Sequence, residues 1–422
     1  MENQHLIELD GRTGEGGGQL VRIACALAAV ATQPIRITHV RGNREGPRGG
    51  GLKSQHVTAI EYLAKATAAD VTGLSVGSHT LEFRPRLKPS ALIEGKDRTI
   101  KISADSPAAS TLLIFQAVFP FLLFAGTEKG EPITLEISGG TNVSFSLSYE
   151  YLDQVLLPTL QDAFGISVER KLHSRGWSLG KLQRGKVTFS FTPLKPGETL
   201  KLREAGSIYN GSPGRDVEIE EVDVSMIVPA EMHEPLTDAL VADLEELFPG
   251  AKVNFKIIED SGADSRVYVL LVAKSGALRW GSDTLSSMPK KSKGKSGPRP
   301  TISFCEDISR RIAKKLFDEV ATGGVVDEFL QDQLVIFQAL SEGRTSFPRG
   351  ENDSGGLEQA VENLEIDERM RKDRTDKPFG EGSLHTTTAR WVTAQLLPSV
   401  AWYNKGKICE GVGMNMGSGK AR

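Results

Sequence analysis

The sequence has no long uninterrupted apolar run, few cysteines and almost no net charge, and each shortage closes off a class of protein. Its longest apolar stretch, TLLIFQAVFPFLLFA from Thr111 to Ala125, holds a glutamine and a proline and falls short of the roughly 20 residues that a membrane-spanning helix needs. It predicts a buried helix instead. The three cysteines, Cys25, Cys305 and Cys409, lie far apart with no C-x-x-C spacing, which argues against a disulfide framework and a zinc site and fits a reducing compartment. The opening MENQHLIELDG has no basic stretch followed by an apolar one, so no secretory signal is expected. A formal net charge of −3 over 422 residues means that any nucleic-acid site must be a local basic patch. Several catalytic signatures are also missing: no G-K-[ST] follows the N-terminal glycines, and there is no G-x-S-x-G elbow and no H-E-x-x-H.

What is present alternates between two hydrophobic periods. Leu20, Ile23, Ala24 and Leu27 fall at helical spacing after the glycine run, and PIRITHV then alternates as a strand does. SQHVTAIEYLAKATA reads as a helix, LSVGSHTLEFRP as a hairpin, and SPAASTLLIFQ as a helix with Ser106 as its cap and Pro107 in its first turn. PITLEISGG reads as a strand, and YEYLDQVLLPTLQDAFG as a helix ending at Gly165. The fold class is therefore α/β (α+β), with paired helices covering one face of a small sheet. KVTFSFTPL, EIEEVDVSMIVPA, PLTDALVADLEELFPG, VNFKIIE and SRVYVLLVA form a separate β/α run, so a core of residues 1–184 and 277–422 is expected around an inserted domain of 185–276. SSMPKKSKGKSGPRP (286–300) and the polar stretch 345–377 are expected to be disordered loops.

Three constellations can carry chemistry. In LDGRTGEGGGQLVR, residues 9–22, glycines lead into a helix, and such a turn either exposes N–H groups to an anion or is only a flexible connection. Gln19 spoils the third glycine of a dinucleotide motif. Glu15 within this turn suits a divalent cation better than an anion, because its charge repels phosphate unless a metal lies between them. In VRGNREGPRGGGLKSQH, residues 40–56, Arg41, Arg44, Arg48 and Lys53 crowd a glycine-rich loop before a helix. Arginine forks there match phosphate oxygens, and a solvated basic loop is the alternative. Gln55 and His56 either add hydrogen bonds or cap that helix. Of seven histidines, His385 in GEGSLHTTTARW stands out, since it opens a helix after a glycine-rich segment, where one ring nitrogen can be oriented while the other acts as a nucleophile.

DGRTGEGGGQLVR, RGNREGPRGGGLKSQH, SGGTN, VVDEFLQDQL and LHTTTARW, in this order along nearly the whole chain, resemble the RNA 3'-terminal phosphate cyclase family. The resemblance implies a core of repeated units, each with paired helices on a four-stranded sheet, similar to the C-terminal domain of translation initiation factor three, with a smaller inserted domain. It implies an enzyme that uses ATP and a divalent metal (Mg2+ or Mn2+) to turn an RNA 3'-phosphate into a 2',3'-cyclic phosphodiester through an adenylylated histidine. Carried over, His385 matches the nucleophile and Glu15 the metal-associated carboxylate. Arg22, Arg41, Arg44 and Gln55 match residues around the triphosphate or the RNA end. Gln116 and the stretch Phe329, Leu330, Gln331, Asp332 and Gln333 match the nucleotide pocket.

The expected partner is an RNA 3'-phosphate end, with no membrane and no preference for DNA, and the expected compartment is the nucleus, with the cytoplasm second. The sequence departs from the family pattern at RGWSLGKLQRG (175–185), at Leu147, where a proline is usual, at Phe329, where a tyrosine is usual, and in the long polar stretch before His385. The alternative is the family's ribosome-biogenesis branch, a noncatalytic scaffold that lacks the histidine.

Overall fold

A strand–helix–strand–helix–strand–strand unit occurs twice in succession in the structure, a computed structural model that describes residues 5–44, 46, 49–93, 98–210, 217–288, 301–350 and 370–417. The first unit comprises β1 (Ile7–Asp10), α1 (Gly18–Ala31), β2 (Ile35–Thr38), α2 (Ser54–Ala66), β3 (Asp70–Thr72) and β4 (Leu81–Arg84). Its strands lie in the order β1-β2-β4-β3. β1 and β2 are parallel, as a helical crossover requires, and the other pairs are antiparallel.

The second unit repeats that pattern with β5 (Thr99–Ser103), α3 (Thr111–Leu123), β6 (Ile133–Gly139), α4, β7 (Val168–Ser174) and β8 (Gly185–Phe191), in the order β5-β6-β8-β7. Helix α4 joins three stretches, Tyr149–Tyr151, the π-helical Leu152–Leu156 and Leu157–Phe164, and ends where Gly165 turns left-handed at φ 72°. Residues alternate between buried and half-buried along β6 and β8, the signature of a sheet covered by helices on one face.

β9 (Glu221–Val228), α5 (His233–Leu247), β10 (Lys252–Asp260), β11 (Val267–Ser275), β12 (Leu278–Ser286) and α6 (Thr301–Val320) follow. They form a sheet ordered β10-β9-β11-β12, against which α5 and α6 pack side by side. The chain then returns to the repeated pattern with α7 (Glu328–Leu340), β13 (Glu342–Ser346), α8 (Leu384–Leu396), β14 (Ala401–Tyr403) and β15 (Ile408–Val412), ordered β13-β15-β14. Lys201 pairs in parallel with Glu342, in the place a first strand takes beside β13. The third unit is thus interrupted between its first strand and its first helix.

Sheet membership therefore divides the chain elsewhere than at 185 and 276. KVTFSFTPL pairs with β6 and β7 as β8, and the inserted sheet continues past residue 276 through β12. Helix α3 starts later than Pro107, because the Ser110 hydroxyl takes the Leu113 N–H at 3.2 Å while the Ser106 carbonyl accepts Ala109 N–H in a preceding turn. Of the two stretches expected to be disordered, Ser286 closes β12, Thr345 and Ser346 belong to β13, and the Asp373 carboxylate accepts the N–H groups of Lys405 and Gly406. Residues 289–300 and 351–369 lie outside the described residues. Among the described residues no helix is long and apolar enough to cross a membrane.

The helices of the three units meet at α1, which packs on α2, α3 and α8, while α7 packs on α3 and α8. Every residue of α3 except Gln116 is buried. The one polar break in the longest apolar run is therefore also its one accessible point, and it faces the place where the units converge.

Candidate active site

The glycine turn between β1 and α1 is held by its own backbone. Gly14 and Gly16 take left-handed φ values of 65° and 61°, which glycine adopts without a Cβ penalty. A Cβ on Gly14 would collide with Thr388 of α8, and the Glu15 N–H donates to the Thr388 hydroxyl at 2.9 Å. Turn and helix α8 are locked together. Helix α1 opens at Gly17 with no side-chain cap and no acidic residue in its first turn, and its positive end faces the Glu15 carboxylate, which lies against Gly17. The Glu15 side chain keeps only 7% of its surface and is ion-paired with Arg44.

His385 is the second residue of α8, whose first turn is capped by the Ser383 hydroxyl accepting from Thr386 N–H. Its Nδ1 lies 2.5 Å from Gln19 Oε1. An amide oxygen only accepts, so Nδ1 carries the proton and Nε2 keeps a lone pair. Gln19 is itself fixed, because its Nε2 donates to Asp332 Oδ2 at 3.0 Å. Gln333 Nε2 donates to Asp332 Oδ1, and Gln116 Nε2 donates to Gln333 Oε1. One chain of hydrogen bonds therefore runs from α8 through α1 and α7 to α3. Burial, with Arg22 and Arg44 nearby, holds the His385 imidazole below its ordinary value, so the ring is neutral at neutral pH. Asp332 is pushed up to about 7 by burial, against its hydrogen bonds from Gln333 and Gln19 and the pull of Arg22.

A second group of donors lies at the start of α1. His56, third residue of α2, accepts the Lys53 N–H on Nδ1 at 3.0 Å, which leaves the proton on Nε2. That nitrogen is shut from solvent with no partner, and a Cβ on Gly18 would collide with it. Burial and the charges of Arg22, Arg41 and Lys53 hold His56 neutral, well below the usual range. Arg22 keeps some accessible surface, yet desolvation pulls its guanidinium down to about 10, and its Nε has no partner. Arg41 takes a left-handed φ of 54° and donates Nη1 to the carbonyls of Gly49 and Gly51 at 2.7 and 3.2 Å. It therefore shapes the basic loop as well as charging it. Gln55 is half-buried one residue before His56, and Arg48 lies outside the described residues. Unpartnered donors around an uncapped helix start fit a polyphosphate.

The stretch Phe329 to Gln333 is spread around α7 rather than gathered on one ligand. Leu330 is fully buried in the core, and Gln331 donates to the Phe347 carbonyl at 3.2 Å. Asp332 and Gln333 join the hydrogen-bond chain, while Phe329 lies under Lys315, whose Nζ is 4.8 Å from the ring centroid. Sequence reasoning missed Gln19, treated only as a spoiled glycine motif, and left His56 undecided. A polar side chain opening an apolar helix was the available signal for the first. Among the described residues no three His, Cys, Asp or Glu side chains gather to hold a metal by themselves. The Glu15 carboxylate is engaged by Arg44, so a cation held there would replace that pair and draw its other ligands from phosphate oxygens and water.

A family model described as RNA 3'-terminal phosphate cyclase matches residues 13–400. The chain is similar to the RNA 3'-terminal phosphate cyclase of Methanosarcina mazei, with 33% identity over 358 residues, or 81% of this chain and 89% of that protein. It is similar to that of Pyrococcus furiosus at 32% over 340 residues, covering 80% and 87%. The cyclase of Drosophila melanogaster is 29% identical over 358 residues, covering 83% and 88%.

Proposed function

The chain belongs to the RNA 3'-terminal phosphate cyclase family, and from that premise we propose that it converts RNA 3'-phosphate ends to 2',3'-cyclic phosphodiesters at the expense of ATP, through adenylylated His385. The observation that carries this reading is the His385 tautomer: Gln19 Oε1 accepts the Nδ1–H, which leaves Nε2 as a neutral nucleophile beside the cations that lower its basicity.

Nε2 attacks the α-phosphorus of ATP. A P–N bond forms, the bond to the β-phosphate oxygen breaks, and pyrophosphate leaves. Arg22, His56 and the start of α1 offer donors to the phosphates, and fixed donors are worth most where water is excluded. A divalent cation held by Glu15 would neutralise further phosphate charge there. An oxygen of the RNA terminal phosphate then attacks the AMP phosphorus and returns the bonding pair to Nε2. The ribose 2'-oxygen, beside the activated phosphate on the same nucleotide, loses its proton to solvent, closes the ring and expels AMP. Intramolecular proximity makes this last step undemanding, and its need for a 2'-hydroxyl selects RNA.

Incubation with α-labelled ATP and magnesium is expected to leave acid-labile label on the chain, absent from His385→Ala. Nucleotide binding without label in the unaltered chain would overturn the enzymatic reading and favour the noncatalytic scaffold.

A further inference from the structure

Helix α6 has two unlike faces. Cys305, Ile308, Ile312, Ala313, Leu316 and Val320 are buried, on the side that packs against β11, β12 and α5. Arg310, Arg311, Lys314 and Lys315, spaced for one side of a helix, are exposed and line a groove of about 530 Å³ that also touches Glu328 and Arg349.

Of the four acids along this groove, Asp307, Asp318, Glu319 and Glu328, the last three face cations. Asp318 pairs with Lys314 at 2.8 Å, and Glu319 with Arg349 at 2.6 Å. Glu328 lies 3.9 Å from Arg349. Arg310 and Arg311 have no acidic partner among the described residues, and Lys315 faces the Phe329 ring. Arg310 and Arg311 thus stand unpaired on a helix whose charges balance, Arg310, Arg311, Lys314 and Lys315 against Glu306, Asp307, Asp318 and Glu319.

The groove is aimed at the active site. Its inner end is the first turn of α7, where Glu328 and Phe329 sit one turn before Asp332, and Asp332 is joined through Gln19 to His385. From Lys315 back to Asp307 the helix runs about 12 Å away from that end. A concave track that carries the unpaired Arg310 and Arg311 and ends beside the first turn of α7 suits a single nucleic-acid strand, whose phosphates pair with the two arginines.

We propose that the groove between α6 and the start of α7 holds the phosphodiester backbone of the RNA strand that leads to the terminal phosphate. This rests on the cyclase reading above. The inserted module then serves substrate recognition, through a helix that the repeated core does not supply.

The test measures binding of a fluorescent 3'-phosphorylated single-stranded 12-mer RNA to the full chain by anisotropy, from low to high salt. Arg310→Gln/Arg311→Gln removes two phosphate contacts at exposed positions. The plot of log affinity against log salt is expected to flatten by about 1.4, which is roughly 25-fold weaker binding at 0.1 M salt. Lys129→Gln/Lys171→Gln, which removes two exposed cations from the second unit, is expected to keep the original slope. An unchanged slope in the groove variant, or equal flattening in both variants, overturns the proposal. Failure of the cyclase reading shows separately, as an unaltered chain that binds this RNA and leaves its 3' end uncyclised.

Discussion

Two helices occupy the same place in two copies of the repeated unit and carry opposite imidazoles. Helix α2 is the second helix of the first unit and bears His56 in its first turn, while α8 is the second helix of the third unit and bears His385 in its first turn. In His56 a backbone N–H takes up Nδ1, which makes Nε2 a donor; in His385 an amide oxygen takes up Nδ1, which makes Nε2 a lone pair. Both rings are held neutral by burial and neighbouring cations. One partner atom per ring therefore separates an imidazole whose Nε2 donates from one whose Nε2 keeps a lone pair, and neither helix geometry nor residue type does so.

The most severe way to break this contrast is Gln19→Leu. Without the acceptor, the proton is free to sit on Nε2, and the adenylylation rate is expected to fall on the order of 10²-fold or more while ATP binding stays near its original strength. Single-turnover kinetics with separate nucleotide titration check this, and equal loss in both would show that Gln19 acts on binding.

His56→Leu removes the donor and leaves His385 untouched. Losing one hydrogen bond to a charged phosphate is worth about 2 kcal/mol, so nucleotide affinity is expected to weaken at least tenfold, with a smaller change in the rate of the bound complex. The same variant sharpens the electrostatic side of the comparison. A histidine depressed in the folded state withholds a proton that the unfolded chain accepts, so stability falls as pH drops below 6.5, by up to about 1.4 kcal/mol per pH unit. Denaturant titrations at pH 6.5 and 5.0 are expected to show a shallower acid loss in His56→Leu than in the unaltered chain.

The smallest effect concerns Asp332. Both of its oxygens accept from amides, so the ionised form suits the hydrogen-bond chain, while burial lifts its pKa to about 7. Adenylylation is expected to rise with pH through about 7, and Asp332→Asn to move that limb below 6.5, where His385 titrates, with a modest drop in the plateau. A limb that stays near 7 in the variant would assign it to another group.

Much of this was legible before any coordinates. Period and capping signals located α2, α4 and β6 closely, because those elements are set by local chemistry. Pairing partners were not legible: the alternation of KVTFSFTPL shows that one face is buried but not which sheet buries it, and β8 was therefore assigned to the inserted domain. The motif blocks singled out His385, Glu15 and the arginines. The tautomer of His385 depends on Gln19, which meets that ring only after the third unit converges on α1, and the orphaned Nε2 of His56 lies against Gly18, which it meets when α2 packs on α1.

The parallel bridge between Lys201 and Glu342 has a kinetic consequence. During synthesis the first two units can close from neighbouring sequence, but this pairing must wait until the whole intervening stretch has emerged. Closing a loop that long carries an entropic penalty, which shrinks once the stretch between has collapsed into a compact body with its ends near one another. The inserted module thus stands as a gatekeeper of maturation, because the histidine helix follows it in the chain and can join α1 only after it has been made.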